Sequence, residues 1–242
     1  MTALRLQDIA VGYRHTPIPG LSGLNVSVQP GEIVLVVGLN GSGKSSLLRT
    51  IVGVQPPVQG IVWLNDVALD KMPVREKAMQ VGGMLTGSVR PASMRVFDYI
   101  ATGRYPHVGF WGKDPGCTEK VHQAAQLARC EHLLNKQVTE TSDGEFQRIA
   151  VARLMAQEAD VWVLDEPAAF LDISGRFALH QLLLQAAMEW GKSVIISSHD
   201  LELSAHERVT CWLLAPKGLE VIQGGPSTRE RLLDYFCQSD AV

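Results

Sequence analysis

No segment constrains this chain more than the octapeptide Gly38-Leu39-Asn40-Gly41-Ser42-Gly43-Lys44-Ser45, because of what flanks it. Before it, Ile33 to Val37 is an apolar run rich in β-branched residues, introduced by Pro30-Gly31 and closed by Gly38, which reads as a fully buried strand. After it, Leu47, Leu48, Ile51 and Val52 follow helical spacing as far as Gly53. Strand, glycine-rich loop and helix is the order in which successive backbone N–H groups converge on phosphate oxygens at a helix N-terminus. The glycines allow the close approach, Lys44 supplies a positive charge near the outer phosphates, and the Ser45 hydroxyl suits a Mg²⁺ ligand. The implied ligand is a nucleoside triphosphate.

Two further apolar runs end in polar groups, where open parallel sheets present their ligands. Val161-Trp162-Val163-Leu164 leads into Asp165-Glu166-Pro167, and Ser193-Val194-Ile195-Ile196-Ser197 into Ser198-His199-Asp200. Adjacent acids repel unless a cation is near. Asp165 therefore suits Mg²⁺, directly or through water, and Glu166 the polarisation of water for in-line attack on a γ-phosphate. A neutral imidazole both donates and accepts, which suits His199 to bridge that phosphate and the attacking water. Taken singly, Asp-Glu-Pro also reads as a helix start and a lone histidine as an ordinary surface or core residue. The phosphate loop upstream favours the catalytic reading.

The remainder reads as scaffold. Leu4 and Leu6, Ile9 and Val11, then Leu24, Val26 and Val28 alternate with other residues, which predicts antiparallel β structure at the N-terminus. Residues 60–69 read as more strand; 97–102, 118–134, 146–157 and 173–190 read as helices, with a turn-rich stretch over 105–116. Alternation of strand and helix predicts a parallel sheet. The expectation is one compact unit over 1–242, with a β and phosphate-loop core at about 1–90 and 158–242 and a helical subdomain at about 91–157. At 46% hydrophobic and 19% charged residues the chain is too apolar for disorder. Its 22 Lys and Arg against 25 Asp and Glu offer no electropositive surface, so no nucleic-acid partner is expected. The strand-like apolar runs are far shorter than the roughly 20 residues that cross a bilayer. Residues 1–10 lack the order of a secretory signal, and Cys117, Cys130, Cys211 and Cys237 are scattered with no Cys-x-x-Cys pair, so free thiols in the cytosol are expected.

Ser142-Asp143-Gly144-Glu145 has the Ser-x-x-Glu form of a capping box, continued with helical spacing by Phe146, Ile149, Ala150 and Leu154. Such a start serves as a cap alone, or as a second anion site with Ser142 and the Gly144 N–H facing phosphate. With this segment in place, the order of motifs resembles the ATP-binding subunit of ABC transporters. Thr141-Ser142-Asp143-Gly144-Glu145 is similar to the family signature, Tyr13 in Val11-Gly12-Tyr13 to the aromatic that stacks on adenine, Ala169-Phe170-Leu171-Asp172 to the D-loop, and His199 to the switch histidine. The likeness runs from Leu4 to roughly Gly225. It implies an α/β fold: a P-loop NTPase (RecA-like) core with an N-terminal antiparallel β subdomain and an inserted α-helical signature subdomain. It implies ATPase activity with Lys44, Glu166 and His199 as catalytic groups. ATP would touch Tyr13, Gly38, Asn40, Gly41, Ser42, Gly43, Lys44, Ser45, Ser46, Ser142, Gly144, Glu145 and Asp172, and Mg²⁺ would be held by Ser45, Asp165 and Thr86. Counting back from Gly103 puts Thr86 where the family's Q-loop has glutamine, with Gln80 as the less favoured register. Asp143 stands where glycine is usual in the signature, and Thr141 and Glu145 replace leucine and glutamine. Asp143 must therefore point away from a triphosphate or be neutralised.

The resemblance also implies partners. In the family two copies meet head to tail with ATP between them, so Ser142 and Gly144 of one copy would bind the γ-phosphate held by the other. Such a dimer works peripherally at the cytoplasmic face of the bacterial inner membrane, on two permease subunits that a substrate-binding protein serves. Thr102-Gly103-Arg104-Tyr105-Pro106-His107 resembles a stretch of importer ATPases for iron-siderophore complexes, heme and cobalamin. The rival expectation is a non-transport ABC ATPase in a soluble cofactor-assembly complex. A guanine-reading GTPase is rejected, since Asn135-Lys136-Gln137-Val138 lacks the aspartate of an Asn-Lys-x-Asp reader. The short run after the last ATPase element predicts no C-terminal regulatory domain.

Overall fold

The computed structural model describes residues 2–87, 90–109 and 112–239; residues 110 and 111 of the turn-rich stretch lie outside the described residues. β1 (Leu4–Ala10) precedes the two-residue strands β2 (Gly12–Tyr13) and β3 (Thr16–Pro17), then β4 (Leu24–Val28), β5 (Ile33–Gly38) and α1 (Lys44–Val52). Next come β6 (Gln59–Leu64), β7 (Val67–Ala68), α2 (Val74–Gln80) and β8 (Val81–Met84). The middle holds α3 (Val96–Ala101), α4 (Cys117–Leu127) and α5 (Asp143–Ala156). The last part is β9 (Val161–Asp165), α6 (Ile173–Met188), β10 (Ser193–Ser197), β11 (Val209–Ala215), β12 (Gly218–Gln223) and α7 (Pro226–Ser239).

The central sheet has the order β12-β11-β5-β10-β9-β8. Its strands from β11 to β8 are parallel, as expected, and β12 folds back antiparallel on β11. Both faces are covered, which is why Ile33 to Val37 is apolar at every position. Ile33, Leu35 and Val37 enter one core with Trp162, Leu164 and Ile196, together with residues of α3 to α6. Val34 and Val36 enter a second core with Val161, Val163 and Ile195, closed by Leu47, Leu48 and Ile51 of α1 and by the N-terminal sheet. In that sheet β1 pairs antiparallel with β4 on one side and β6 on the other, again as expected. Each fully buried aliphatic side chain contributes about 2 kcal/mol, so the two-faced core dominates the stability of the fold.

Two expectations need correction. The 60–69 run is not one strand, because Asn65 and Asp66 take φ 47° and 63° and turn the chain between β6 and β7, the backbone of a primed hairpin turn. The 118–134 helix stops at Leu127. There Arg129 adopts φ 57° and the Cys130 N–H donates to the Ala125 carbonyl at 2.8 Å, which ends the helix; Leu133 and Leu134 are buried beyond it, outside the helix.

Register sets the strand ends level. Ser197 pairs with Val36 on one side and Asp165 on the other, and Met84 pairs with Leu164. The loops after β5, β8, β9 and β10 therefore leave the same edge. The helical middle is pinned to α5: a Cβ on Gly103 would lie 2.3 Å from the Arg153 carbonyl oxygen. Arg104 is buried and donates to Asp114 at 2.8 Å and to the Ala156 carbonyl at 2.9 Å. Gly103→Ala is expected to lower stability by about 2 kcal/mol in urea unfolding, since backbone must move. Gly116→Ala, where the nearest atom to a new Cβ is 3.8 Å away, is expected to stay within about 0.5 kcal/mol of the parent.

Candidate functional site

Gly38 closes β5 and α1 opens at Lys44, so the phosphate loop lies where the sequence puts it. Gly41 and Gly43 take φ 79° and 93°. A Cβ on Gly43 would also meet Leu21 Cδ1 at 2.5 Å, so chirality and space both require glycine there. Gly43 is the N-cap of α1 and no side chain caps the helix, which leaves its first N–H groups for an anion. Ser42 Oγ is buried beside them with no hydrogen-bond partner among the described residues. Lys44 folds back over the loop and donates to the Gly38 carbonyl at 2.8 Å and the Leu39 carbonyl at 3.2 Å. Burial lowers its pKa, while Glu166 and Asp165 pull it back up. Tyr13 hydroxyl lies 2.6 Å from Ser46 Oγ, and the residue is 54% exposed at the start of α1.

Asp165 is buried at the end of β9, with a donor on each carboxylate oxygen. Ser197 Oγ donates to Oδ1 and Thr86 Oγ1 to Oδ2, both at 2.6 Å. Glu166 sits at φ 51°, a backbone state that costs a non-glycine residue on the order of 1 kcal/mol. Its N–H donates to the Ser197 carbonyl at 3.1 Å and to Ser197 Oγ at 3.0 Å, and Gln147 Nε2 of α5 donates to its carbonyl at 3.3 Å. Its carboxylate reaches His199 Nε2 at 2.9 Å. One hydroxyl, Ser197 Oγ, thus orients both acids. Ser197, Gln147 and Arg90 are site residues that the sequence reading missed. The available signal for Ser197 was a hydroxyl closing an otherwise apolar strand; the other two carried none.

Ser45, Thr86 and Asp165 offer only oxygen, the donor type Mg²⁺ prefers. Among the described residues no three His, Cys, Asp or Glu side chains gather to hold a metal ion, so phosphate and water would complete any shell here.

The capping box at α5 is present as expected: Ser142 N–H donates to Glu145 Oε2 at 2.8 Å and Glu145 N–H to Ser142 Oγ at 3.2 Å. The Ser142 N–H holds the Glu145 carboxyl below its usual range. Glu145, expected on the nucleotide, uses its carboxylate within the cap. Asp172 likewise caps α6, accepting the Gly175 N–H at 2.7 Å, and that bond lowers its pKa. Among the described residues no hydrogen bond joins Ser142, Gly144 or Glu145 to the phosphate loop of their own chain. Asp143 pairs with Arg90 Nη2, while Arg90 Nη1 donates to the Thr141 carbonyl at 2.8 Å. Arg90, Asp143, Thr86, Asp165 and Glu166 line one cavity of about 410 Å³.

Comparison with known proteins agrees with this geometry. A family model described as ABC transporter matches residues 21–169. An uncharacterised ABC transporter ATP-binding protein of Methanocaldococcus jannaschii is 36% identical over 202 residues, covering 83% of this chain and 69% of that protein. The ferric enterobactin transport ATP-binding protein of Escherichia coli is 33% identical over 227 residues, covering 92% and 82%. Among solved structures, an inward-facing metal-chelate type ABC transporter superposes with a TM-score of 0.77 at 24% identity, over 92% of this chain and 84% of that one. Among the described residues no helix is long and apolar enough to cross a membrane.

Ser197→Ala removes the donor to Asp165 and an acceptor from Glu166. ATP turnover is expected to fall about 10- to 100-fold, the usual cost of losing an outer-shell partner, with binding of metal-free ATP unchanged in equilibrium titration.

Proposed function

The chain belongs to the ABC transporter family as an ATP-binding, ATP-hydrolysing subunit of an importer, and from this premise we propose that it powers uptake of an iron-siderophore complex or a related chelate such as heme or cobalamin. The name of the Escherichia coli relative and the metal-chelate type of the structural neighbour support an iron chelate as the cargo. Zinc is the competing cargo, since zinc import ATP-binding proteins stand at comparable identity.

One observation carries the catalytic assignment: Glu166 carboxylate lies 2.9 Å from His199 Nε2, on the edge shared with Asp165 and the uncapped start of α1. In the proposed mechanism the N–H groups of Gly41, Ser42, Gly43 and Lys44 bind the phosphates, with Gly38 and Asn40 shaping the loop. Lys44 Nζ leaves the Gly38 and Leu39 carbonyls for the outer phosphates, and Tyr13 takes the adenine face while Ser46 supports the loop. Ser45, Asp165 and Thr86 would hold Mg²⁺, which when bound neutralises charge on the β- and γ-phosphates. Glu166 takes a proton from water as that water attacks the γ-phosphorus and the bond to ADP breaks. Without nucleotide the His199 Nε2–H donates to the Glu166 carboxylate, and with ATP bound that single N–H turns to the γ-phosphate.

Ser142 Oγ and Gly144 N–H of a second copy complete the γ-phosphate site, with Glu145 acting through the cap and Asp172 through the start of α6. The core, about 1–90 and 158–242, carries the phosphate loop, and the helical part, about 91–157, carries the signature, so hydrolysis separates the two copies. That motion drives two permease subunits from the cytoplasmic face of the membrane, and a substrate-binding protein delivers the cargo.

Glu166→Gln is expected to lower turnover at least about 100-fold while keeping ATP binding and trapping a dimer visible by size exclusion. Lys44→Ala is expected to weaken ATP binding itself. Mixing Ser142→Ala chains with Lys44→Ala chains should recover activity, because the mixed dimer holds one intact composite site. Parent-level turnover in Glu166→Gln, or no recovery in any mixture, overturns the mechanism. For the cargo, vesicles carrying the whole assembly should take up labelled ferric siderophore with ATP inside and fail to do so with Glu166→Gln. Uptake of heme, cobalamin or zinc instead reassigns the cargo, and purification with soluble partners and no permease supports the cofactor-assembly alternative.

A further inference from the structure

Asp143 is the residue that a composite ATP site could least accommodate unaided. It is the first residue of α5, between Ser142 and Gly144, so its carboxylate offsets the positive helix end that would meet a triphosphate. Its side chain is 68% exposed at the surface of the helix start. Arg90 makes three contacts at this helix start, one of them with the Asp143 carboxylate. Its Nη2 donates to Asp143 Oδ1, its Nη1 donates to the Thr141 carbonyl at 2.8 Å, and its guanidinium carbon lies 4.7 Å from the centre of the Phe146 ring.

An exposed ion pair ordinarily contributes little, because two long side chains must be ordered in water. Here the Arg90 side chain is only 29% exposed, and its guanidinium is fixed by a carbonyl and an aromatic face as well as by the carboxylate. The pair is thus a built feature of the helix start. We propose that Arg90 is a positioning residue for the composite site: it neutralises Asp143 and fixes the Thr141-Ser142 turn, so that Ser142 Oγ and the Gly144 N–H receive the γ-phosphate held by a second copy. This rests on the two-copy site proposed above. Asp143 and Arg90 form a matched pair, and removing the arginine alone leaves a carboxylate facing a triphosphate.

The test is dimerisation by MgATP in the Glu166→Gln background, followed by analytical ultracentrifugation across ATP concentrations. Arg90→Ala is expected to raise the ATP concentration for half-dimerisation about five- to tenfold, the scale of a charge at a helix end. Adding Asp143→Gly to Arg90→Ala should bring the midpoint back to within about twofold of the parent. ATP binding to the monomer, read with a fluorescent analogue, should be the same in all variants. A merely structural role for Arg90 predicts no such rescue. An unchanged midpoint in Arg90→Ala, or a double variant as weak as Arg90→Ala, overturns the inference while leaving the two-copy site standing. A Glu166→Gln parent that never dimerises with ATP overturns the two-copy site and this inference together.

Discussion

Burial of both faces of the central sheet is the constraint on which the site depends. Alternate residues of β5, β9 and β10 enter two separate apolar cores, so none of these strands has a face left for chemistry. Polar groups are tolerated only where the strands end. Equal register then does the rest: the ends of β5, β8, β9 and β10 are neighbours, and the phosphate loop, Thr86, Asp165 and Ser197 meet although the sequence separates them widely. The rigidity of this edge comes from the same cores, since close-packed interiors transmit small displacements poorly absorbed elsewhere.

At that edge the energetics are opposed in a useful direction. Glu166 is held in left-handed backbone by hydrogen bonds from its N–H to Ser197 and to its carbonyl from Gln147, and without them a non-glycine residue would relax. The strain turns its carboxylate to His199 while Asp165, the next residue, faces Thr86 and Ser197. Two adjacent acids are thereby given different neighbours, which satisfies both without bringing their charges onto one point. Lys44 completes the arrangement as a cation with carbonyl partners that a phosphate outcompetes on charge alone.

What the sequence made legible follows from what is local. The phosphate loop could be read because its glycines answer local backbone demands, and the acids and His199 because each ends an apolar run. The capping box at Ser142 involves residues three apart and was equally readable. β8 was not recognised as a strand: Val81-Gly82-Gly83-Met84 has weak β propensity, and it is extended because it pairs with β9. Its glycine at 82 answers a tertiary contact, as a Cβ there would meet Leu154 Cδ1 at 2.6 Å. The overrun of the predicted helix past Leu127 has a related origin, since Leu133 and Leu134 are buried by contacts that mimic helical periodicity. Arg90 and Gln147 escaped notice because their partners are distant in the chain, and no spacing rule connects residue 90 to residue 143.

That distance bears on how the departures from the family signature hold together. A glycine between Ser142 and Gly144 would leave the helix end at full positive potential, whereas Asp143 stabilises the isolated helix by the same dipole and opposes an incoming phosphate. Stability of the helix and affinity for the anion therefore pull in opposite directions at this one position. A cation fixed over the carboxylate separates them: the helix keeps its favourable first-turn acid, and the approaching phosphate meets a neutral pair. Arg90 has the geometry for this because Phe146 and the Thr141 carbonyl hold it on the same helix start. Thr86 and Arg90 line the same cavity, beside Asp165 at one side and Asp143 at the other. Thr86 stands where the family resemblance leads one to expect glutamine, and Arg90 balances the carboxylate of Asp143, which stands where that resemblance leads one to expect glycine.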